Sequence, residues 1–315
     1  MATLKEIRAK LAQQNQQFTA GSSNAIYPHW NINEGENVTL RFLPDGDDKN
    51  VFFWVERQML RLPFPGVKGD PQSKPLNIQV PCMEMWESKD SCPVLKEVRT
   101  WFRDPAMEDM GRKYWKKRSY IFQGFVVGNN PLDEEDLDNP IRRFVMGPQL
   151  FEKIKDALTD EELEELPTDY DQGLDFMIKK TQKGDWANYD TSKWARKERA
   201  LDDEERAAIE EHGLYNLIDF LPNKPDTATL ASIVEMFEAS VDGQSFDNDR
   251  WGSFNRNADA DKKLADSVVT SDKKEVVVED DESDEADTEV SEAPKKKGNQ
   301  DILDMIKQRK KKQNA

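Results

Sequence analysis

The stretch Asn37-Val38-Thr39-Leu40-Arg41-Phe42-Leu43, followed by Pro44-Asp45-Gly46-Asp47-Asp48, decides the fold class. Val38, Leu40 and Phe42 alternate with Thr39 and Arg41, the period of a strand with one buried face, and the Pro/Asp/Gly cluster ends it in a turn. Working outward, residues 51–62 read as a second, longer strand carrying Phe52, Phe53 and Trp54. Residues 63–75 form a Pro/Gly-rich loop and 77–80 a short strand. Further strands are expected at 117–127, 141–146 and 174–182, and helices at 148–166, 202–220 and 227–241. Short strands joined by irregular, charge-rich connections favour an α+β fold with a small antiparallel barrel or sheet over a doubly wound sheet.

The 315 residues suit one large domain or two small ones with appendages. Apolar runs are too short to span a membrane, and the N-terminus has no apolar signal core, so secretion is not expected. Cys82 and Cys92 are the only thiols, which rules out a disulfide framework and fits a reducing compartment. The net charge of −17 is unevenly spread: residues 275–292 hold ten carboxylates and no base, whereas 293–315 hold eight basic residues against two aspartates. An acidic chain normally disfavours nucleic acid, because binding depends on lysine and arginine displacing counterions. Local pattern therefore decides.

At the front, Leu4, Ile7 and Leu11 fall at helical spacing among Lys5, Arg8 and Lys10, a short basic amphipathic arm over residues 1–22. Its alternative is an idle N-terminus. Residues 23–258 form the expected core. Beyond them, residues 259–315 are an expected disordered acidic tail. Its end places Ile302, Leu303, Met305 and Ile306 before Lys307-Gln308-Arg309-Lys310-Lys311-Lys312, either a segment that folds on a partner or a solubilising tail with a basic stop.

No glycine-rich phosphate loop, GxSxG elbow or HExxH occurs, and His29 and His212 lie in polar contexts without an adjacent nucleophile, so an enzyme is not expected. The strongest constellation is Arg112-Lys113-Tyr114-Trp115-Lys116-Lys117-Arg118-Ser119-Tyr120, five cations and three aromatics in nine residues. Cations follow a phosphate backbone while aromatic rings stack on unpaired bases, which points to single strands bound without sequence preference. A second group, Lys183-Gly184-Asp185-Trp186-Ala187-Asn188-Tyr189, follows a strand carrying Lys179 and Lys180, and Trp194, Arg196 and Lys197 lie just beyond. The alternative is that Trp115 and Trp186 are core residues and the cations a solvated face.

Residues 38–44, Cys82, Asp90-Ser91-Cys92-Pro93-Val94, the basic run 116–120 with Phe125-Val126-Val127, and Trp186-Ala187-Asn188-Tyr189-Asp190 with Ser192-Lys193 occur in one order. In that order and approximate spacing the chain resembles the replicative single-stranded DNA-binding, helix-destabilising proteins of T-even-type tailed bacteriophages, over roughly residues 27–240. The resemblance implies an OB-fold-like antiparallel β-barrel core with accessory helices, a flexible N-terminal arm and a disordered acidic C-terminal tail. It implies cooperative self-association along the strand through the arm (Lys5, Arg8, Lys10). It also implies recruitment of phage replication, recombination and repair proteins by the tail, in the cytoplasm of a bacterial host. Carried over by position, Tyr120, Phe144, Trp186 and Tyr189 would line the groove, and Lys116, Lys117 and Arg118 would hold phosphates. Arg112, Lys113, Tyr114, Trp115 and Lys179 join them on chemistry alone.

The chain departs from that family at its zinc. Cys82 and Cys92 keep their spacing, but Leu95 stands at the CxxC partner position and no histidine lies between His29 and His212. The two cysteines read as remnants, with no metal or other cofactor expected and Trp86 or apolar groups packing in its place. Readings from other classes are an acidic interaction scaffold or DNA mimic that binds no nucleic acid, and a metal-dependent nuclease using the carboxylates of residues 133–138.

Overall fold

A computed structural model describes residues 26–255 except 129, 133–137, 161, 162, 164 and 185. The arm residues Lys5, Arg8 and Lys10 and the whole tail lie outside the described residues. Mixed α+β architecture with antiparallel pairing is present, with six α-helices among the described residues. The chain divides into two units, the first built from residues 26–57 and 119–221, the second from 58–118 and 222–255. The apolar side chains sort into separate buried clusters, each made of residues from one unit.

The first unit is built on β1 (Asn37–Phe42), β4 (Lys117–Val127), β5 (Arg142–Met146), β6 (Asp175–Lys179) and β9 (Lys193–Trp194). Within it β5 pairs β4, β4 pairs β1, β1 pairs β6 and β6 pairs β9, all antiparallel. Alternation along β1 and β4 sends Val38, Leu40, Phe42, Tyr120 and Phe122 to one cluster. Ile121 and Phe125 go to others, so both faces of β4 are covered. α3 (Pro148–Leu158) closes the first cluster with Leu150, Phe151 and Ile154. It is shorter than the 148–166 expected, because residues past Thr159 lose the apolar repeat. α4 (Asp203–His212) begins at a capping box in which Asp202 and Glu205 satisfy each other's backbone, and it ends at Gly213, so the expected helix 202–220 breaks into α4 and a 3₁₀ turn at Leu217–Phe220.

Gly124 is where β4 changes partner, facing Phe42 of β1 and Arg142 of β5. A Cβ there would sit 1.9 Å from the Arg41 carbonyl oxygen, which belongs to backbone and cannot swing away. Gly124→Ala is therefore expected to cost about 3 kcal/mol, the upper range for overpacking, seen as a lowered urea midpoint at unchanged slope. An unshifted midpoint would show that β1 yields easily.

The second unit pairs β2 (Val55–Phe64) with β3 (Leu76–Pro81). β2 starts four residues later than the sequence suggests, because residues 51–54 form bends. Against this hairpin pack α1 (Pro93–Trp101), α2 (Glu108–Tyr114), α5 (Thr227–Val241) and α6 (Asn248–Asn255). Leu60, Leu62, Phe64, Ile78 and Val80 meet Val94, Leu95, Val98, Trp101, Ile233, Met236, Phe237 and Trp251, with Trp101 stacked on Phe237 at 5.8 Å. Of these helices only α5 was expected. Pro93 at the first turn of α1 is a helix start signal carried by the sequence itself.

Candidate nucleic-acid interface

The basic–aromatic run begins at the end of α2 in the second unit and continues into β4. Helical spacing turns Tyr114 inward, where it is buried against Trp101 and Phe237 and shares a hydrogen bond with the Ser240 hydroxyl at 3.0 Å. Trp115 packs edge-on to Phe102 with the Arg99 guanidinium 5.6 Å above its ring. Lys116 donates to Glu84 Oε2 at 2.9 Å, and Arg99 donates to Glu84 Oε1 at 2.6 Å, inside the fold. Burial raises the Glu84 carboxyl, but the hydrogen bonds from Lys116 and Arg99 outweigh it and hold the group below the ordinary range. Arg112 pairs with Glu108 one helical turn back. Lys113 is exposed, while Lys117 and Arg118 are half-buried where β4 begins.

In the first unit, Tyr120, Phe144 and Tyr189 fall in one buried cluster. Tyr120 stacks on Phe151 at 3.5 Å and Phe144 meets Phe42 at 6.1 Å. With Tyr114, these three rings have no face to offer a base, which corrects their expected stacking role: strand and helix periodicity points them into the cores. Trp194 is likewise packed against Phe42 and Phe176.

Trp186 differs. It lies on a two-stranded hairpin, β7 (Thr181–Lys183) and β8 (Trp186–Asn188), directly opposite Lys183. Its side chain is 38% exposed, and Lys183 is exposed as well. Gly184 turns the hairpin at φ +64°, a conformation that glycine adopts without steric cost. The base of the hairpin is fastened to α3: Gln149 donates to Asp190 at 2.8 Å, Tyr189 N–H donates back to Gln149 at 3.2 Å, and Asn188 donates to Asp190 at 3.0 Å. Hydrogen bonds from Asn188 and Gln149 hold the Asp190 carboxyl below its ordinary range. Tyr189 is thus the buried anchor of the hairpin and Trp186 its exposed ring. Lys179 precedes it on β6, half-buried, while Lys193, Arg196 and Lys197 follow with exposed side chains. Lys183 and Lys193 stand in the sequence segments quoted above but not among the residues expected to bind; the lysine–glycine turn before Trp186 was the signal for a hairpin that pairs Lys183 with the ring.

The anchor also rests on His29, whose ring meets Tyr189 at 5.9 Å. Burial, with a smaller contribution from the Lys180 charge, lowers His29 from 6.5 to about 4. Between those values the unfolded chain binds the extra proton, so stability is complete above pH 6.5 and falls as pH drops toward 4, by about 3 kcal/mol for the full shift. Denaturation curves across that window are expected to show the loss in wild type and a flatter acid limb in His29→Phe. Identical limbs would refute the assignment.

Cys82 and Cys92 are buried thiols in the second unit's core. A hydrogen bond from Cys82 lowers Cys92, which stands at the residue just before α1 without a side-chain capping bond. Leu95 is buried beside them, and two thiols with a leucine do not supply a tetrahedral zinc set. No group of three or more potential metal ligands occurs among the described residues, and none of their helices is long and apolar enough to cross a membrane. Comparison with known proteins gives no match to any family model and none to a curated protein.

Proposed function

We propose that the chain is a sequence-non-specific single-stranded DNA-binding protein, related to the helix-destabilising proteins of T-even-type phages and using an OB-fold-like arrangement of its antiparallel strands. The observation that carries this reading is the partly exposed Trp186 held opposite exposed Lys183 on a fastened hairpin. Ring and cation together match a base and its phosphate. Lys193, Arg196 and Lys197 of the same unit supply further exposed positive charge. Asp203, Glu204, Glu210 and Glu211 on α4 are exposed, and screening beyond ~8 Å at physiological salt limits their effect on a local basic surface. The arm would mediate cooperative self-association, and the acidic tail would recruit replication and recombination proteins. Catalysis and a bound cofactor form no part of the proposal.

The test is a salt titration against poly(dT), poly(rU) and duplex DNA, read by tryptophan quenching. Poly(dT) is expected to quench, to bind better than duplex and to weaken linearly in log salt. Absence of quenching with every ligand at low salt would overturn the proposal and favour the acidic scaffold.

A further inference from the structure

The first unit carries a second exposed apolar surface, away from the basic–aromatic segments in sequence. Five large apolar side chains are exposed among the described residues, and three of them, Val51 (92%), Phe52 (56%) and Ile218 (55%), belong to two turns pinned by one carboxylate. Asp45 Oδ1 accepts from Leu217 N–H at 2.9 Å, and its Oδ2 accepts from the Asn50 amide at 2.7 Å. Asn50 in turn donates to the Trp54 carbonyl and accepts from Phe52 N–H. Phe52 lies over Trp54 with ring centroids 4.7 Å apart, and Trp54 reaches Phe151 of the core at 5.4 Å. Apolar residues scattered singly on a surface need no explanation; a group held in place by such a network is preorganised for a partner.

Charge identifies the partner. Asp47, Asp48 and Asp219 flank the three apolar side chains, with Lys49 the single base in these turns. Phosphates would be repelled there, while a basic apolar peptide would be complemented on both counts. The chain contains such a peptide beyond the described residues: Ile302, Leu303, Met305 and Ile306, followed by Lys307, Arg309, Lys310, Lys311 and Lys312. We propose that the 45–52 and 217–220 turns are the docking site of the chain's own C-terminal segment 302–312.

The experiment is photocrosslinking in the full-length protein with p-benzoylphenylalanine in place of Ile306, followed by peptide mapping. Crosslinks are expected on residues 47–54 and 216–220. Their yield is expected to fall about fivefold or more, the effect of roughly 1 kcal/mol, in Phe52→Ala and in the Asp48→Lys, Asp219→Lys pair. All three positions are exposed, so thermal melts of the variants should match wild type. Crosslinks confined to the acidic stretch 275–292, or a yield unchanged by Phe52→Ala, would overturn the proposal. It would also fall if Phe52→Ala weakened oligo(dT) binding and left the crosslinks intact, since the turns would then face nucleic acid.

Discussion

Trp186→Ala is expected to raise the dissociation constant for oligo(dT) by about 5- to 150-fold, the loss of one stacked base at roughly 1 to 3 kcal/mol. Binding is best followed by anisotropy of a labelled oligonucleotide, because the substitution removes a reporter tryptophan. The exposed ring contributes little to the first unit's core, so the melting temperature should move little. Lys183→Ala, opposite it, should weaken binding less and make it less salt-dependent, as removal of one phosphate contact would. Tyr120→Ala and Tyr189→Ala should behave in the reverse way. Both rings are buried, and truncating such a side chain costs about 3 to 5 kcal/mol of stability, whereas the fraction that remains folded should retain affinity. Unchanged affinity in Trp186→Ala with a large loss in a stably folded Tyr120→Ala would place the stacking surface on the central strands and reverse this assignment.

Asp175→Ala is expected to destabilise the first unit by about 3 to 5 kcal/mol, the usual cost of removing one partner from a buried ion pair. Arg41 is fully buried on β1; it donates to the Asp169 carbonyl at 2.6 Å and to Asp175 at 3.4 Å. Arg199 joins the same carboxylate at 3.0 Å and reaches Glu205 of the α4 capping box at 2.8 Å. The network therefore ties β1, β6 and α4 together. Burial pulls Arg41 below its ordinary range against the opposing pull of Asp175. Hydrogen bonds to Glu205, then Asp175, hold Arg199 above its own despite its burial. Without Asp175 the Arg41 charge would stay inside the fold with one carbonyl partner. Since whole domains are stable by only about 5 to 15 kcal/mol, the variant should unfold at markedly lower urea. A double substitution, Arg41→Met with Asp175→Leu, should recover much of the loss, because an apolar pair needs no compensation. No loss in the single variant would show that water or another group replaces the carboxylate.

Side-chain period made much of the fold readable before the structure. Strands β1, β4 and β5 and helix α5 sit within a residue of their expected positions, because 2.0- and 3.6-residue repeats of apolar side chains are local properties. Residues 51–54 defeated the same rule: their apolar run resembles a strand, but Asn50 and Asp45 divert the backbone into bends and leave Phe52 outside. α1 does carry a helical stripe in Val94, Leu95, Val98 and Trp101, marked at its start by Pro93, whereas α2 and α6 are only two turns long and mix charged with apolar residues without a clear stripe.

The candidate site was legible in composition and not in geometry. Sequence alone singled out the basic–aromatic runs and Trp186 as an unusual concentration of cations and rings. It also established, from residue types that no fold can alter, the acidic and basic ends of the tail and the lack of a third cysteine. Whether a ring faces solvent or core depends on which strand or helix comes to lie against it from far along the chain. Ser240 meets Tyr114, Phe151 covers Tyr120 and Glu84 holds Lys116. Those long-range partners turned most of the expected stacking rings into core and left Trp186 exposed, because burial is a property of the assembled fold and not of any single residue.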